Sequence, residues 1–503
     1  MIEAWSTDAV YAAESALMET LDEGELMARA VEGLAGVAAA RLEELDGDAV
    51  AALVGPGNNG ADALYAVARL ADAGWNAVAV HHDTVHEGAK AAAEAAGVVL
   101  TTDPAALGEA DVVLDGILGI GARPGLPSWA RPWVDALPDT AHVIAVDLPS
   151  GQDPNGGALD PDGVLADETV TFSVAKPVHL LPPTEQACGI LTIVDIGLDV
   201  DDEPLVRRLD HDDVAALWPL PASSDDKYSR GVVGVVAGGE AYTGAAVLTV
   251  TAAVSAGAGM VRYVGTPTPT GLVRAAVPEA VHGPGRVQAW VVGPGLDPSS
   301  RAAGSKAQLD VAREALAAAE PVVVDAGGLD LLDAAVLRER ADAVTLLTPH
   351  AGECARLLTR LAAEGPRPAS RSRSPHGEVT REQVEAAPLA HARALAARTG
   401  ATVLLKGSTT LVVPPGEGAT AWSQVDAPPW LATAGAGDVL AGLLGTLLAA
   451  GLPPDVAGAL GALVHGVAAD RANPGGPVRA LAVAHGIPGA VAHLLGRAPT
   501  PAS

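Results

Sequence analysis

Aromatic side chains make up only 3% of the 503 residues, and there is a single Phe. Nearly half of the chain is apolar all the same (49%), so its cores must be built from Ala, Val and Leu. Cysteine is almost absent. Cys188 and Cys354 lie far apart, which excludes a disulfide framework and any cysteine metal spacing. No apolar run approaches the roughly 20 residues that cross a bilayer. The start, Met1-Ile2-Glu3-Ala4-Trp5, lacks the basic and apolar segments of a secretory signal. A reducing cytoplasm is the expected location. Positive charge is scarce too: 31 basic residues face 61 acidic ones, for a net charge of −30. Such a surface repels nucleic acid and anionic membranes, and neither is expected as a partner. An anionic ligand must then be held by local backbone N–H groups and a few cations. At this length two or three domains are expected.

What the chain does have is periodic. Residues 1–46 carry Leu17, Leu21, Leu26, Val31, Leu34 and Val37 near helical spacing and predict helices that flank a sheet. From 49 to 200, short apolar runs (50–54, 77–80, 112–114, 143–146, 170–172, 191–194) alternate with helical stretches near 61–73, 87–96 and 128–137. That alternation implies βαβ units and a parallel sheet covered on both faces. Ligands of such sheets bind at the carboxyl ends of the strands. Three polar clusters occupy those ends: Gly55-Pro56-Gly57-Asn58-Asn59-Gly60-Ala61-Asp62, then Asp115 with Gly119-Ile120-Gly121-Ala122-Arg123-Pro124-Gly125, then Asp147-Leu148-Pro149-Ser150-Gly151. Each alone reads as a turn with helix-capping residues. Three at equivalent ends favour a site.

Residues 199–226 are acidic and proline-bearing and predict an interdomain connection with one short helix. A second α/β series begins at Lys227. Strands are predicted over 232–236, 260–264, 289–292, 322–324, 344–347, 403–405 and 410–413. Helices are predicted over 243–258 and near 305–319, 353–363, 388–398, 437–450 and 454–470. The stretch 364–380 is basic, rich in Pro and Ser and poor in aliphatics, and predicts a surface loop. Two domains follow, 1–205 and 206–503.

The densest signal is Ala432-Thr433-Ala434-Gly435-Ala436-Gly437-Asp438. Small residues allow a tight turn whose N–H groups point outward together. The helix opening there adds free N–H groups and its dipole, a geometry that suits a phosphoryl group. Asp438 then stands where it accepts a proton from an attacking hydroxyl. A glycine turn followed by an acid at a helix start is the plainer reading of the same residues.

Taken together, these motifs resemble the two-domain NAD(P)H-hydrate repair enzymes, which join an epimerase to an ADP-dependent dehydratase. The resemblance spans nearly the full chain. In the first half it rests on Asn58-Asn59-Gly60-Ala61-Asp62, on Asp115 with 119–125, and on Asp147-Leu148-Pro149-Ser150-Gly151. In the second half it rests on Tyr228-Ser229-Arg230-Gly231, Tyr242-Thr243-Gly244-Ala245-Ala246, Gly293-Pro294-Gly295-Leu296, Thr348-Pro349-His350-Ala351-Gly352-Glu353, Lys406-Gly407-Ser408-Thr409-Thr410 and Gly435-Ala436-Gly437-Asp438. It implies a Rossmann-like three-layer epimerase domain followed by a ribokinase-like α/β dehydratase domain. Two positions depart from the family pattern. Ala61 stands where a glycine is usual, at a cost of about 1 kcal/mol if that position needs positive φ. Asp325-Ala326-Gly327 replaces an Asp-Ala-Asp strand end.

The resemblance also implies the chemistry. The substrates would be NADH and NADPH hydrated at C6 of the reduced ring, with ADP as phosphoryl donor, AMP and phosphate as products, and Mg2+ accompanying the nucleotide. Asp438 would be the base, Gly435, Ala436 and Gly437 the phosphoryl cradle, and Lys406, Gly407, Ser408, Thr409 and Thr410 the holders of the AMP portion. Ala245, Gly295 and His350 would line the hydrate pocket. In the first domain Asp147 would transfer the proton, with 58–62 and 119–125 binding the hydrate. Asn59, Asp115 and Ser150 would ligate K+. Self-association is expected as well. A ribokinase-type small-molecule kinase with a fused ligand-binding domain is the competing reading of the same Gly-Ala-Gly-Asp turn.

Overall fold

The computed structural model describes residues 1–364 and 378–496. Most of the predicted 364–380 loop falls outside the described residues. The chain divides into two compact units, Ile2–Arg207 and Arg208 onward.

The first unit is built on seven strands: β1 (Ala49–Val54), β2 (Asn76–His81), β3 (Val99–Thr101), β4 (Val112–Gly116), β5 (His142–Val146), β6 (Glu168–Phe172) and β7 (Ile190–Val194). Their order is β3-β2-β1-β4-β5-β6-β7, and every pairing is parallel. The alternation predicted in the sequence is therefore a parallel sheet. β1 shows why both faces are apolar. Val50, Ala52 and Val54 face the helices α2 (Glu25–Leu45) and α3 (Asn58–Asp72) through Leu34, Leu42, Leu64 and Val67. Ala51 and Leu53 face the other side with Leu107 and Trp133. Successive strand residues point to opposite faces, so a doubly covered strand must be apolar throughout. Strand order reverses between β1 and β4, which opens a crevice at their carboxyl ends. α1 (Thr7–Met18) precedes α2.

Two local expectations differ. The helix predicted near 128–137 is a single turn, Arg131–Val134, because Trp133 and Leu137 bond only three residues back and Pro127, Pro132 and Pro138 supply no donors. The short strand β3 was not predicted, because three residues carry too little periodicity. Cys188 and Cys354 are both buried and free.

The second unit holds β8 (Val232–Val236), β9 (Met260–Val264), β10 (Val281–His282), β11 (Ala289–Val292), β12 (Val322–Val324), β13 (Thr345–Leu347), β14 (Thr402–Leu405), β15 (Thr410–Val413) and β16 (Ala421–Gln424). They run β16-β15-β14-β13-β12-β11-β8-β9-β10. All pairings are parallel except the closing meander β14-β15-β16. One face packs Val233, Val291, Val323 and Leu346 against α5 (Thr243–Ser255), α7 (Ala436–Ala449), α8 (Pro454–Ala472) and α9 (Ala480–Leu494); α6 (Ala351–Glu364) follows β13. α7 is buried on nearly every side, as an almost wholly apolar helix must be. α9 was not predicted; it carries Pro488 inside it, where a helix is not expected to continue. Among the described residues, no helix is long and apolar enough to cross a membrane.

Arg340 ties together the segments that enter β12 and β13, at the amino edge of this sheet. It is buried and donates to Thr345 Oγ1 (2.9 Å), Leu316 O (3.0 Å), Ala318 O (2.7 Å), Glu320 O (3.0 Å) and Val344 O (3.0 Å). Arg340→Met removes the guanidinium donors from these acceptors, of which Val344 O keeps only Val322 N–H among the described residues. It is expected to lower the stability of the second domain by about 3 kcal/mol, read as an earlier chemical-denaturation midpoint.

Candidate functional sites

In the first unit, a cavity of about 1180 Å³ opens at the crevice. Asn58, Asn59 and Asp62 from the start of α3 line it, with Gly119, Ile120, Gly121 and Ala122 after β4 and Asp147 after β5. Three separate sequence clusters therefore meet in one place. Gly60 and Ala61 are buried behind them in α3. Arg123, Pro124 and Gly125 are not part of the lining; Gly125 N–H instead bonds to Gly151 O at 2.8 Å. Ala61 has helical backbone with negative φ, so the strain considered for it does not arise.

Asp147 takes φ +67° in a turn closed by Leu148 N–H to Val146 O (2.9 Å). A non-glycine residue in that region is costly and marks functional positions. Its carboxylate receives Lys176 Nζ at 2.5 Å and the Thr171 hydroxyl at 2.9 Å. Lys176 also donates to Thr171 Oγ1 at 2.8 Å. His179 Nδ1 accepts Lys176 N–H at 3.0 Å, so its Nε2–H donates to Asp147 O at 2.8 Å. Burial works to raise the pKa of Asp147, but the Lys176 charge and these hydrogen bonds outweigh it and hold the group below the usual carboxylate range. Asp147 is thus a fixed anion. Lys176, Thr171 and His179 were missed in the sequence. They follow or belong to β6, so the carboxyl-end rule applied to that strand would have found them.

Beneath the cavity, Asp115 is fully buried. Its Oδ1 accepts Ser150 Oγ–H (2.7 Å) and Ile117 N–H (3.2 Å), and its Oδ2 accepts Ser150 N–H (2.8 Å). Burial pushes it up to about 6, against these hydrogen bonds. Asn59 Nδ2 donates to Val146 O (2.6 Å) and Leu118 O (3.2 Å). Leu118 joins the three: its O accepts from Asn59 and its N–H donates to Ser150 Oγ at 2.9 Å, the hydroxyl that donates to Asp115.

In the second unit, the carboxyl ends of four neighbouring parallel strands carry Gly295 (after β11), Asp325 (β12), His350 (β13) and Lys406 (β14). Lys406 Nζ donates to Asp325 Oδ1 at 2.7 Å and lies 3.9 Å from Glu353 Oε2. The Thr348 hydroxyl adds 2.8 Å to the same Asp325 oxygen. The start of α7 closes over this group: a Cβ on Gly437 would lie 3.4 Å from Lys406 Nζ and 3.9 Å from Asp325 Oδ2. Gly435 has φ +91°, which only glycine adopts freely. Ala436 N–H turns to Thr433 O at 3.3 Å, so it is engaged rather than open. The N–H groups of Gly435, Gly437 and Asp438 have no partner among the described residues.

Burial and the Asp325 charge push Asp438 up to about 7, with Lys406 working the other way. A carboxyl poised there is a base matched to neutral pH. If it acts as one, kcat/KM for the reaction falls about tenfold per pH unit below 7 as Asp438 takes up its proton; a pH–rate profile of the purified chain reads this directly.

Gly407, Ser408 and Thr409 form the turn between β14 and β15, and Thr410 opens β15. Ala245 on α5 adjoins Gly295, whose added Cβ would come within 2.6 Å of the Ala245 Cβ. His350 is exposed, and its Nδ1 accepts Gly352 N–H (3.0 Å) and Glu353 N–H (3.3 Å) at the start of α6. A Cβ at Gly327 would collide with Leu296 O at 2.1 Å, so this backbone holds no second carboxylate there. Among the described residues, no cluster of three or more His, Cys, Asp or Glu is arranged to hold a metal alone.

These sites belong to a two-domain α/β enzyme, with a cavity lined by Asp62 and Asp147 in one unit and a helix start with open N–H groups beside a carboxylate in the other. Residues 23–178 match the family described as YjeF-related protein N-terminus, and residues 233–482 match that described as NAD(P)H-hydrate dehydratase. The bifunctional NAD(P)H-hydrate repair enzyme Nnr of Mycobacterium leprae is 41% identical over 487 residues, covering 94% of each chain. The NAD(P)H-hydrate epimerase of Microbacterium testaceum is 43% identical over 217 residues, 41% of this chain and 82% of that one. A crystal structure of the ADP/ATP-dependent NAD(P)H-hydrate dehydratase from Bacillus subtilis, co-crystallized with ATP/Mg2+, is 21% identical with a TM-score of 0.46, covering 57% of this chain and 99% of that one. The chain belongs to the bifunctional NAD(P)H-hydrate repair enzymes, with an epimerase and a dehydratase domain. The expectation of a repair enzyme, rather than a ribokinase-type kinase, is the one these relatives bear out.

Proposed function

We propose that the chain returns both C6 epimers of hydrated NADH and NADPH to the reduced cofactor, using ADP. The observation that carries this is the pairing of open N–H groups at Gly435 and Gly437 with Asp438 held near neutrality. Asp438 removes the proton from the C6 hydroxyl as its oxygen attacks the β-phosphorus of ADP. The phosphorus–oxygen bond to AMP breaks, and AMP leaves with the electron pair. Open N–H groups at the start of α7 hold the moving phosphoryl, where preorganised donors are worth several kcal/mol. The phosphate ester then leaves C6 as the ring nitrogen forms N1=C6, and loss of a C5 proton restores the reduced ring.

Lys406 to Thr410 hold the AMP portion in this reading, and Ala245, Gly295 and His350 face the hydrate. Bound with the nucleotide, Mg2+ would neutralise phosphate charge. It needs only one or two protein carboxylates beside phosphate oxygens and water, and Asp325 and Glu353 suit it. In the epimerase domain, Asp115 is a buried carboxylate without an ion pair among the described residues, flanked by amide and hydroxyl oxygens. That donor set fits a hard monovalent cation, so Asn59, Asp115 and Ser150 would hold K+ and balance the Asp115 charge. Asp147 exchanges the proton of the C6 hydroxyl. The domains are 1–205 and 206–503, and the reducing cytoplasm suits two free cysteines.

The test is a mixture of both epimers with ADP and Mg2+. Absorbance of the reduced nicotinamide should recover completely, with one AMP and one phosphate per molecule restored. Recovery without AMP, or none from either epimer, contradicts the reading.

A further inference from the structure

We propose that Asp62 is the acid of the epimerase cavity, delivering a proton to the ring nitrogen while Asp147 takes one from the C6 hydroxyl. The inference rests on the epimerase reading above and assigns it a second catalytic residue.

Asp62 lies in the second turn of α3 and lines the cavity together with Asp147. It is 8% exposed, and its Oδ1 is buried with no hydrogen-bond partner among the described residues. A buried carboxylate left unpaired is costly, and nothing in the packing of α3 requires one there. The cavity gives its two carboxyls opposite surroundings. Asp147 has Lys176 at 2.5 Å and Thr171 at 2.9 Å. Among the described residues Asp62 has neither a cation nor a donor. Asp147 and Glu14 of α1 both act on it as like charges. Tyr11, Arg69 and His86 also line the cavity, and Lys176 is spent on Asp147. Burial first, then Asp147 and Glu14, push Asp62 up to about 8, so it carries its proton at neutral pH. Two carboxyls driven apart in this way assign themselves as acid and base.

The chemistry needs that pair. C6 of the hydrate carries both a hydroxyl and N1. Asp147 removes the hydroxyl proton, the oxygen pair forms C=O, and the C6–N1 bond breaks. N1 receives the bonding pair and the proton of Asp62. Rotation about C5–C6 presents the other face of the aldehyde. Reversal of the same steps closes the ring as the opposite epimer and returns both protons, so nothing is consumed.

The full chain is assayed for epimerisation across pH. The wild type should give a bell whose alkaline limb falls near 8, as Asp62 loses its proton. A wild-type profile with no alkaline limb overturns the inference without any variant. Asp62→Asn should lower kcat at least about 10²-fold, abolish the alkaline limb and melt at the parent's temperature by circular dichroism. Asp62→Glu, which keeps a carboxyl, should retain the limb and recover at least tenfold of the loss. A change in KM alone, or a slow Asp62→Asn that keeps the limb, assigns Asp62 to binding and overturns the proposal. Asp147→Asn runs beside it: normal epimerisation there sinks the reading of the cavity itself. An inactive Asp147→Asn with a normal Asp62→Asn sinks this inference alone.

Discussion

Asp438→Asn is expected to slow dehydration by about 10²–10⁴-fold while ADP binding changes little. The reason is geometric. Asp438 occupies the first turn of α7, next to the open N–H groups of Gly435 and Gly437, so the amide fits the same space. What it lacks is the ability to take the hydroxyl proton. Burial and Asp325 hold the native carboxyl near 7, where it is basic enough to act and ionised enough to be ready. Removing its charge also relieves repulsion toward a polyphosphate, so the nucleotide affinity should hold or rise. The measurement is single-turnover recovery of the reduced cofactor from the S epimer, with ADP affinity determined separately by calorimetry. Turnover within a few-fold of the parent would remove the residue from the mechanism.

The second large effect belongs to Asp147. Asp147→Ala should reduce epimerisation by about 10²–10⁴-fold, because the fixed anion opposite Asp62 is gone. It also leaves Lys176 buried without its partner, a loss of about 3 kcal/mol or more, so melting of the first domain should fall with it. Asp147→Asn separates the two effects, since the amide still accepts from Lys176. In both variants the S epimer is still dehydrated and the R epimer accumulates. Equal consumption of both epimers, after correction for their spontaneous exchange, would refute the assignment.

Much of this was legible in the sequence, for physical reasons that differ between elements. The interior strands β1, β4, β8 and β11 are buried on both faces, so their apolar runs have no other use. The turn at Gly435 was legible because its φ of +91° demands glycine and the helix behind it is apolar all round. Other parts were not. β3 and β10 are too short to show a period, and α9 carries a proline in its interior, Pro488, where a helix is not expected to continue. The Lys176–Thr171–Asp147 cluster joins residues 24 and 29 positions apart, which only the parallel crossover brings together. Ala436 shows the limit of motif reading: its N–H was counted as open, but it turns to Thr433 O.

The central claim is that backbone N–H groups at the start of α7 grip the transferring phosphate beside Asp438. A crystal structure of the chain with a non-hydrolysable ADP analogue and Mg2+ tests it most directly. The account predicts the β-phosphate within hydrogen-bonding distance of the Gly435 and Gly437 N–H groups, with the nucleoside toward Lys406–Thr410. A β-phosphate bound anywhere else, with that helix start closed to it, would contradict the account.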